Sequence, residues 1–266
     1  MGTAWEEIRA RYTSETGEPG IPVSLHTHTT FCDGKNTPEE LAEEALRLGC
    51  PALGFSGHSY TPFDTSYCMS LAGTDEYRRR VCALKERYAG RMQIYLGVEQ
   101  DFYAPAPADA YDYVIGSVHY LCRDGQYLAV DHSREWLQRD VARHYGGDVY
   151  AYLEDYYATA ACLQEQTGCQ IVGHFDLVTK FNERGDLFDT RHPRYRAAVL
   201  RALDRLCRAD VVFEVNTGAM ARGLRTSPYP QEWIREAIRA RGRRFIRTSD
   251  CHKRELLLAF LTSPRP

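Results

Sequence analysis

The chain lacks any C-x-x-C pair, any internal repeat, any low-complexity linker and any apolar run at its start. Each absence removes a class of protein. Its nine cysteines are odd in number and scattered, which fits reduced thiols in a cytoplasm and argues against a disulfide framework. Residues 1–20 carry several acids and no apolar stretch, so they read as an N-terminal extension and neither a signal peptide nor a membrane anchor. Glu6 stands where a myristoylation signal needs Ser or Thr. A net charge of −3 with both signs interspersed leaves no nucleic-acid or membrane partner expected. The glycines of GVEQD and NTG lack the spacing of a loop that cradles nucleotide phosphates.

What the chain does have is a regular alternation. Its 266 residues suit one α/β domain with a sizeable core. After Ile21-Pro22-Val23 and SLHTHTTFCDG comes a well-signed helix: Thr37 is the N-cap, Pro38 the first helical residue and Glu40 the partner of a capping box. Leu41, Ala42, Ala45, Leu46 and Leu48 give it one apolar face, and Gly49 ends it. Further helices are expected over 75–88, 150–166 and 193–208 and in PQEWIREAIRARG. The buried-strand candidates are PALGFSGH, MQIYLGVEQD, YDYVIGSVHYL, CQIVGHFD, VVFEVNTG and RFIRTSD. The link FYAPAPADA is too short and proline-rich for a helix, and the polar stretch 122–147 reads as a loop excursion or lid.

Counting the opening segment, seven strands alternate with helices, the signature of parallel strands joined by right-handed crossovers. His28, His58, Glu99, His119, His174, Asn216 and Asp250 all fall at or just past a strand's carboxyl end. A barrel gathers such ends on one rim, where active sites lie, whereas an open sheet spreads them. The expected fold is therefore a single (β/α)7 barrel over residues 1–266.

Of nine histidines, six sit at these ends, in HTH, SGH, SVH, GHFD and DCH. Any one of them is unremarked as a core histidine; six, with Asp33, Glu99 and Asp250, point to a metal site. Nine nitrogen and oxygen ligands exceed one tetrahedral zinc and suit two to three divalent ions such as Zn, Mn or Fe. Cys32 and Cys251 flank ligands and are expected to point away. His132, His144 and His192 read as surface residues, and the tyrosines from Tyr145 to Tyr157 as a helix packing face.

HTHTTFCDG, GFSGH, GVEQD, GSVHYL, GHFDLVTKFN, EVNTGAMARGLRTSPYP and TSDCH resemble, in order, the motifs of the PHP (polymerase and histidinol phosphatase) superfamily, and most of all its stand-alone phosphatases. The resemblance implies a distorted (β/α)7 barrel with a trinuclear site at its carboxyl rim. Carried over by motif, His26, His28, Glu99 and Asp250 hold a first ion. Glu99 bridges to a second, completed by His119 and His174, and Asp33, His58 and His252 hold a third. It further implies a cytoplasmic phosphomonoesterase acting on L-histidinol phosphate in histidine biosynthesis, through a metal-bridged hydroxide attacking phosphorus. Arg222, Lys180 and Arg225 are the candidates for phosphate contact, because an arginine fork matches phosphate oxygens. Asn216 or Glu214 either recognises the substrate amine or supports the rim, and Asp33 or His252 relays the leaving group's proton. The alternatives are another small phosphate ester or a nucleotide phosphodiester as substrate, or a non-catalytic metal-binding module.

Overall fold

A computed structural model describes residues 3–106 and 110–262. In chain order the elements are α1 (Ala4–Tyr12), β1 (Thr13–Ser14), α2 (Pro38–Arg47), β2 (Ala52–Phe55), α3 (Leu71–Tyr88), β3 (Gln93–Asp101), β4 (Tyr113–Ser117), β5 (Tyr120–Arg123) and β6 (Gln126–Ala129). They continue with α4 (Arg134–His144), α5 (Val149–Ala160), α6 (Leu163–Thr167), β7 (Ile171–Val172), α7 (Pro193–Leu206), β8 (Val212–Asn216), α8 (Gly218–Ala221), α9 (Glu232–Arg239) and β9 (Phe245–Thr248).

The strands β2, β3, β4, β7, β8 and β9 pair in that spatial order, and every pairing among them is parallel. The segment from Ser24 to His28 spans the two ends of this sheet with single backbone bonds. On one side Gly54 and Ser56 donate to the carbonyls of Ser24 and Thr27, at 2.9 and 3.0 Å. On the other, Cys251 donates to His26 O at 3.0 Å, and His28 to Cys251 O at 2.8 Å. The pairing is irregular because β1 occupies the same edge of β9 lower down, antiparallel, with Thr13 opposite Ile246. A mainly parallel α/β fold is thus the observed class.

Local signals explain the elements. Thr37 and Glu40 exchange the two capping bonds expected of them, Glu40 N to Thr37 Oγ1 at 3.3 Å and Thr37 N to Glu40 Oε2 at 2.8 Å. Helix α3 begins four residues before the expected Asp75, because the Ser70 hydroxyl caps Gly73 N. The helix expected over 150–166 breaks between Ala160 and Leu163 into α5 and α6. The excursion 122–147 is no loop: it holds the end of the β5–β6 hairpin and all of α4. In the link FYAPAPADA no helix forms over the described residues, and residues 107–109 lie outside them.

Apolar packing falls into two layers. The larger lies between the sheet and the surrounding helices; a smaller one fills the sheet's inner face at its amino end, where Leu25, Tyr95, Tyr113, Ile115, Ile171, Val212 and Ile246 meet Ile8 of α1. Gly97 belongs here for a steric reason: a Cβ would stand 2.3 Å from the Tyr113 ring. No helix among the described residues is long and apolar enough to cross a membrane.

Candidate metal centre

The carboxyl end of the same inner face is polar. Glu99, four residues beyond Tyr95 on β3 and so on the same face, is buried at its centre. Its Oε2 faces His58 Nδ1 at 3.0 Å, His26 Nε2 at 3.1 Å and His28 Nε2 at 3.5 Å. Its Oε1 faces His174 Nε2 at 2.9 Å and His119 Nε2 at 3.3 Å, and accepts from Ser117 Oγ at 2.7 Å. Asp250 Oδ1 lies 3.2 Å from His28 Nε2, 3.5 Å from His252 Nδ1 and 3.7 Å from His26 Nε2. Asp33 reaches the group from its loop, 3.2 Å from His252 Nε2 and 3.7 Å from His58 Nε2.

Each ligand candidate arrives by a specific backbone device. A bend at Leu25 lets that side chain enter the lower apolar layer while His26, next to it, turns to Glu99. Asp250 has a left-handed backbone, φ 46°, which Asp tolerates better than most residues. Gly218 makes room for it, since a Cβ there would stand 2.7 Å from Asp250 Cβ. Gly34 likewise lets the Asp33 loop press on the HTH segment, where a Cβ would stand 2.5 Å from the His28 carbonyl carbon.

The donor set fits divalent cations. Nε2 of His26 and His28, Nδ1 of His58 and Oε2 of Glu99 are buried without a hydrogen-bond partner. An unsatisfied buried polar atom costs about 1–3 kcal/mol, so a cluster of them facing one another is held for something that binds it. Three groups place ligand atoms mutually within 4.8 Å: His28, Asp33, His58 and His252; His26, His28 and Asp250; and His58, Glu99 and His119. His28 and His58 each belong to two of these groups, where the motif reading gave each a single ion. Burial pushes the Glu99 carboxyl up, but the rings of His26, His58 and His119 overcome this and hold it well below the usual range. Burial and the neighbouring rings of His252 and His58 push His28 down to about 3, leaving it neutral, as a ligand must be. Burial raises the Cys32 thiol to about 11 and Cys251 to about 12; Cys251 Sγ donates to Lys253 O at 3.0 Å, whereas Cys32, expected to point away, has its Sγ 3.6 Å from His28 Nδ1, behind that ring.

Behind the rings stand two carboxylates: Glu214, already a candidate to support the rim, and Asp101, which the motif reading did not assign. Glu214 takes His26 Nδ1 at 2.6 Å, and its oxygens also accept from Thr248 Oγ1 and His174 N. Asp101, two residues past Glu99, faces His119 Nδ1 at 3.3 Å. Such partners orient a ligating ring and raise its basicity. Asp101 was missed although strand alternation puts it on the face of Glu99.

A cleft of 720 Å³ opens over the cluster. Arg222 lines it, with Nη1 3.3 Å from His252 Nδ1 and 3.4 Å from Asp250 O. Lys180 lines it too, but its Nζ donates to both Asp131 O and Oδ2 at 2.9 Å. Arg225 is a correction: it is buried away from the cleft, donating to Thr179 O and Oγ1 and Ser227 O, with its guanidinium over the Tyr229 ring. Of the two roles expected for Asn216, the contacts are those of support and not of substrate recognition: its amide donates to Glu214 Oε2, its Oδ1 accepts from Gly218 N, and it does not line the cleft. His132 is exposed as expected, yet it stacks on Trp136 at the cleft wall; His192 caps α7.

Fold and site together define a parallel α/β protein with a buried cluster of candidate metal ligands at the carboxyl ends of its strands. Residues 24–218 match the PHP domain, and the chain belongs to that family. A protein of Deinococcus radiodurans named a probable histidinol-phosphatase is 30% identical over 239 residues, covering 86% of this chain and 85% of its own. The fold is that of two crystal structures. The hisK protein of Listeria monocytogenes has a TM-score of 0.73 at 20% identity, covering 88% of this chain and 97% of its own. The histidinol phosphate phosphatase of Lactococcus lactis, determined with zinc, L-histidinol and phosphate, has a TM-score of 0.60 at 16% identity, with coverages of 87% and 86%.

Proposed function

We propose that the protein is a metal-dependent phosphomonoesterase that converts L-histidinol phosphate to L-histidinol and phosphate. The observation that carries the reading is the convergence of six imidazoles and three carboxylates on a cleft walled by Arg222. The names of the Deinococcus and Lactococcus proteins support the substrate.

Two to three divalent ions, Zn, Mn or Fe, would be held by His26, His28, Glu99 and Asp250, by Glu99 with His119 and His174, and by Asp33, His58 and His252, with His28 and His58 placed where they could serve a second ion. When bound, such ions lower the pKa of water and neutralise phosphate charge. The chain's own residues do the rest. Glu214 pairs with His26 Nδ1 and so leaves its inward nitrogen available, and Asp101 accepts from the His119 backbone N and stands 3.3 Å from that ring's Nδ1. Arg222 presents its guanidinium to a phosphoryl oxygen at the cleft side of His252. Asp33 and His252, 3.2 Å apart, are the most solvent-accessible members of the cluster, and whichever of them is not bound to an ion would give the leaving alkoxide its proton, since a metal-bound atom cannot also carry it.

The test is phosphate release from L-histidinol phosphate by purified protein, with metal content measured on the same sample. Release abolished by chelation and restored by Mn, Zn or Fe is the expected result. Bound metal without release overturns the substrate, and release untouched by chelation overturns the role of the ions.

A further inference from the structure

The lining of the cleft over the metal cluster carries both signs of charge, and one of its carboxylates is not used by the catalytic reading. On the His252 side the wall is basic: Arg222 contacts His252 and Asp250, and Lys35 and Lys253 flank Asp33 and His252 in the chain. Two acids outside the metal cluster also line the cleft, Asp64 and Asp131. Asp131 is already matched by Lys180 at 2.9 Å. Asp64 is not: among the described residues it forms no ion pair, and its partners are neutral. Its Oδ1 accepts from Ser66 N at 3.0 Å and Ser66 Oγ at 2.6 Å, and its Oδ2 from Tyr120 OH at 2.7 Å. Three bonds thus fix the orientation of a carboxylate that keeps its full negative charge at the edge of the cavity.

The surroundings of Asp64 are aromatic. Phe63 stacks on Tyr127 at 3.6 Å between centroids and meets Tyr120 edge-on at 4.9 Å. Tyr67 links this group to the metal cluster, its ring 4.8 Å from that of His58 and 6.2 Å from that of Tyr120. Tyr127 is 43% exposed, large apolar surface left facing the cleft. A carboxylate held by a tyrosine hydroxyl beside a group of aromatic rings is a site for a cation carried on a flat or apolar group, since the ring quadrupole and the carboxylate both attract positive charge.

We infer that Asp64, with the rings of Phe63, Tyr67, Tyr120 and Tyr127, binds the cationic, nitrogen-bearing organic end of the substrate and makes the enzyme selective for amino-alcohol phosphates over uncharged or acidic esters. This rests on the phosphatase reading above and adds the specificity-determining residue. The phosphate goes to the metal cluster and Arg222 and the positive nitrogen to Asp64 and its neighbouring rings, so only an ester charged oppositely at its two ends satisfies both. Tyr120 is a positioning residue here: its hydroxyl holds the carboxylate and touches no reacting atom.

The experiment compares metal-loaded wild type and Asp64→Asn on L-histidinol phosphate and on phenyl phosphate, an ester of similar girth without nitrogen. It also measures the binding of L-histidinol, without phosphate, by calorimetry. Losing a charge-assisted contact predicts a fall of about 10- to 100-fold in the preference for L-histidinol phosphate and in the affinity for L-histidinol. The change should appear in KM more than in kcat, and Asp64→Glu should restore part of it. An unchanged preference in the variant, or equal loss on both esters, overturns the inference. So does a wild type that hydrolyses phenyl phosphate as readily as L-histidinol phosphate, a result that needs no variant to fold. If wild type hydrolyses neither ester, the phosphatase reading itself falls, and the inference with it.

Discussion

The two ends of one sheet have opposite chemistry built on the same strands. At the amino end the inner face is closed by Tyr95, Tyr113, Ile115, Ile171, Val212 and Ile246, with Ile8 of α1 as the plug. At the carboxyl end, a few residues further along the same strands, stand Glu99, His119, His174, Glu214 and Asp250. The lower end gains stability by removing apolar surface from water, roughly 1.5–3 kcal/mol for each large aliphatic side chain. The upper end buries nitrogen and oxygen without full partners, which is costly unless an ion satisfies them. The comparison teaches that a parallel sheet separates stability from chemistry along its strand axis, and that a change at one end should leave the other end's property alone.

The largest test of that separation is Glu99→Ala. Because both its oxygens serve the cluster, the variant should lose metal, and activity should drop more than about 100-fold, beyond the loss typical of an outer support. Its circular dichroism should stay native. Retained metal and activity would break the comparison at its upper end. The converse is Ile8→Ala, which removes a buried plug residue. A loss of about 2–5 kcal/mol in unfolding free energy is expected, read from urea denaturation, with metal content per folded molecule unchanged. Metal loss in that variant would mean that the two ends are coupled.

How much of this was legible in the chain follows the same axis. Strand alternation and the grouping of histidines at strand ends located the upper end, because the side-chain types that hold metals are few and their clustering is visible in order. What failed depended on turns. Arg222 and Arg225 are three residues apart, and nothing in their local sequence separates them. The turn at Gly223, φ 70°, leaves Arg222 at the cleft and sends Arg225 to Thr179. The β5–β6 hairpin did carry a signal that went unused: Asp124-Gly125, both left-handed at φ 51° and 74°, is the dipeptide a tight hairpin turn prefers. Asn216 could not be assigned from spacing, since sharing a face with Glu214 says nothing about which of them reaches the cavity. The break between α5 and α6 has no side-chain signature that we can name.

A sharper version of the comparison uses Glu214, which lies between the two layers and meets the metal cluster through the His26 ring and the His174 backbone. Glu214→Gln keeps its volume and can still pair with the ring, but it lowers the ring's basicity. Metal affinity should fall about 10- to 100-fold, measured by competition with a chelator, and less than in Glu99→Ala. An effect as large as that of Glu99→Ala would make Glu214 a ligand rather than a support.

The smallest effect probes how α1 is held on the amino end. Thr3 and Glu6 close its capping box, with Glu6 N donating to Thr3 Oγ1 at 3.3 Å. Thr3→Ala removes one capping acceptor at an exposed helix start and should cost about 1 kcal/mol. Whether that cost appears in global unfolding depends on the plug. With Ile8 buried and β1 paired to β9 just after the helix, α1 should unfold with the sheet, and the whole denaturation curve should shift. If instead amide exchange speeds up only within residues 4–12 and the global midpoint stays put, α1 is a separate unit lying on the sheet, and the lower end owes its stability to the strands alone.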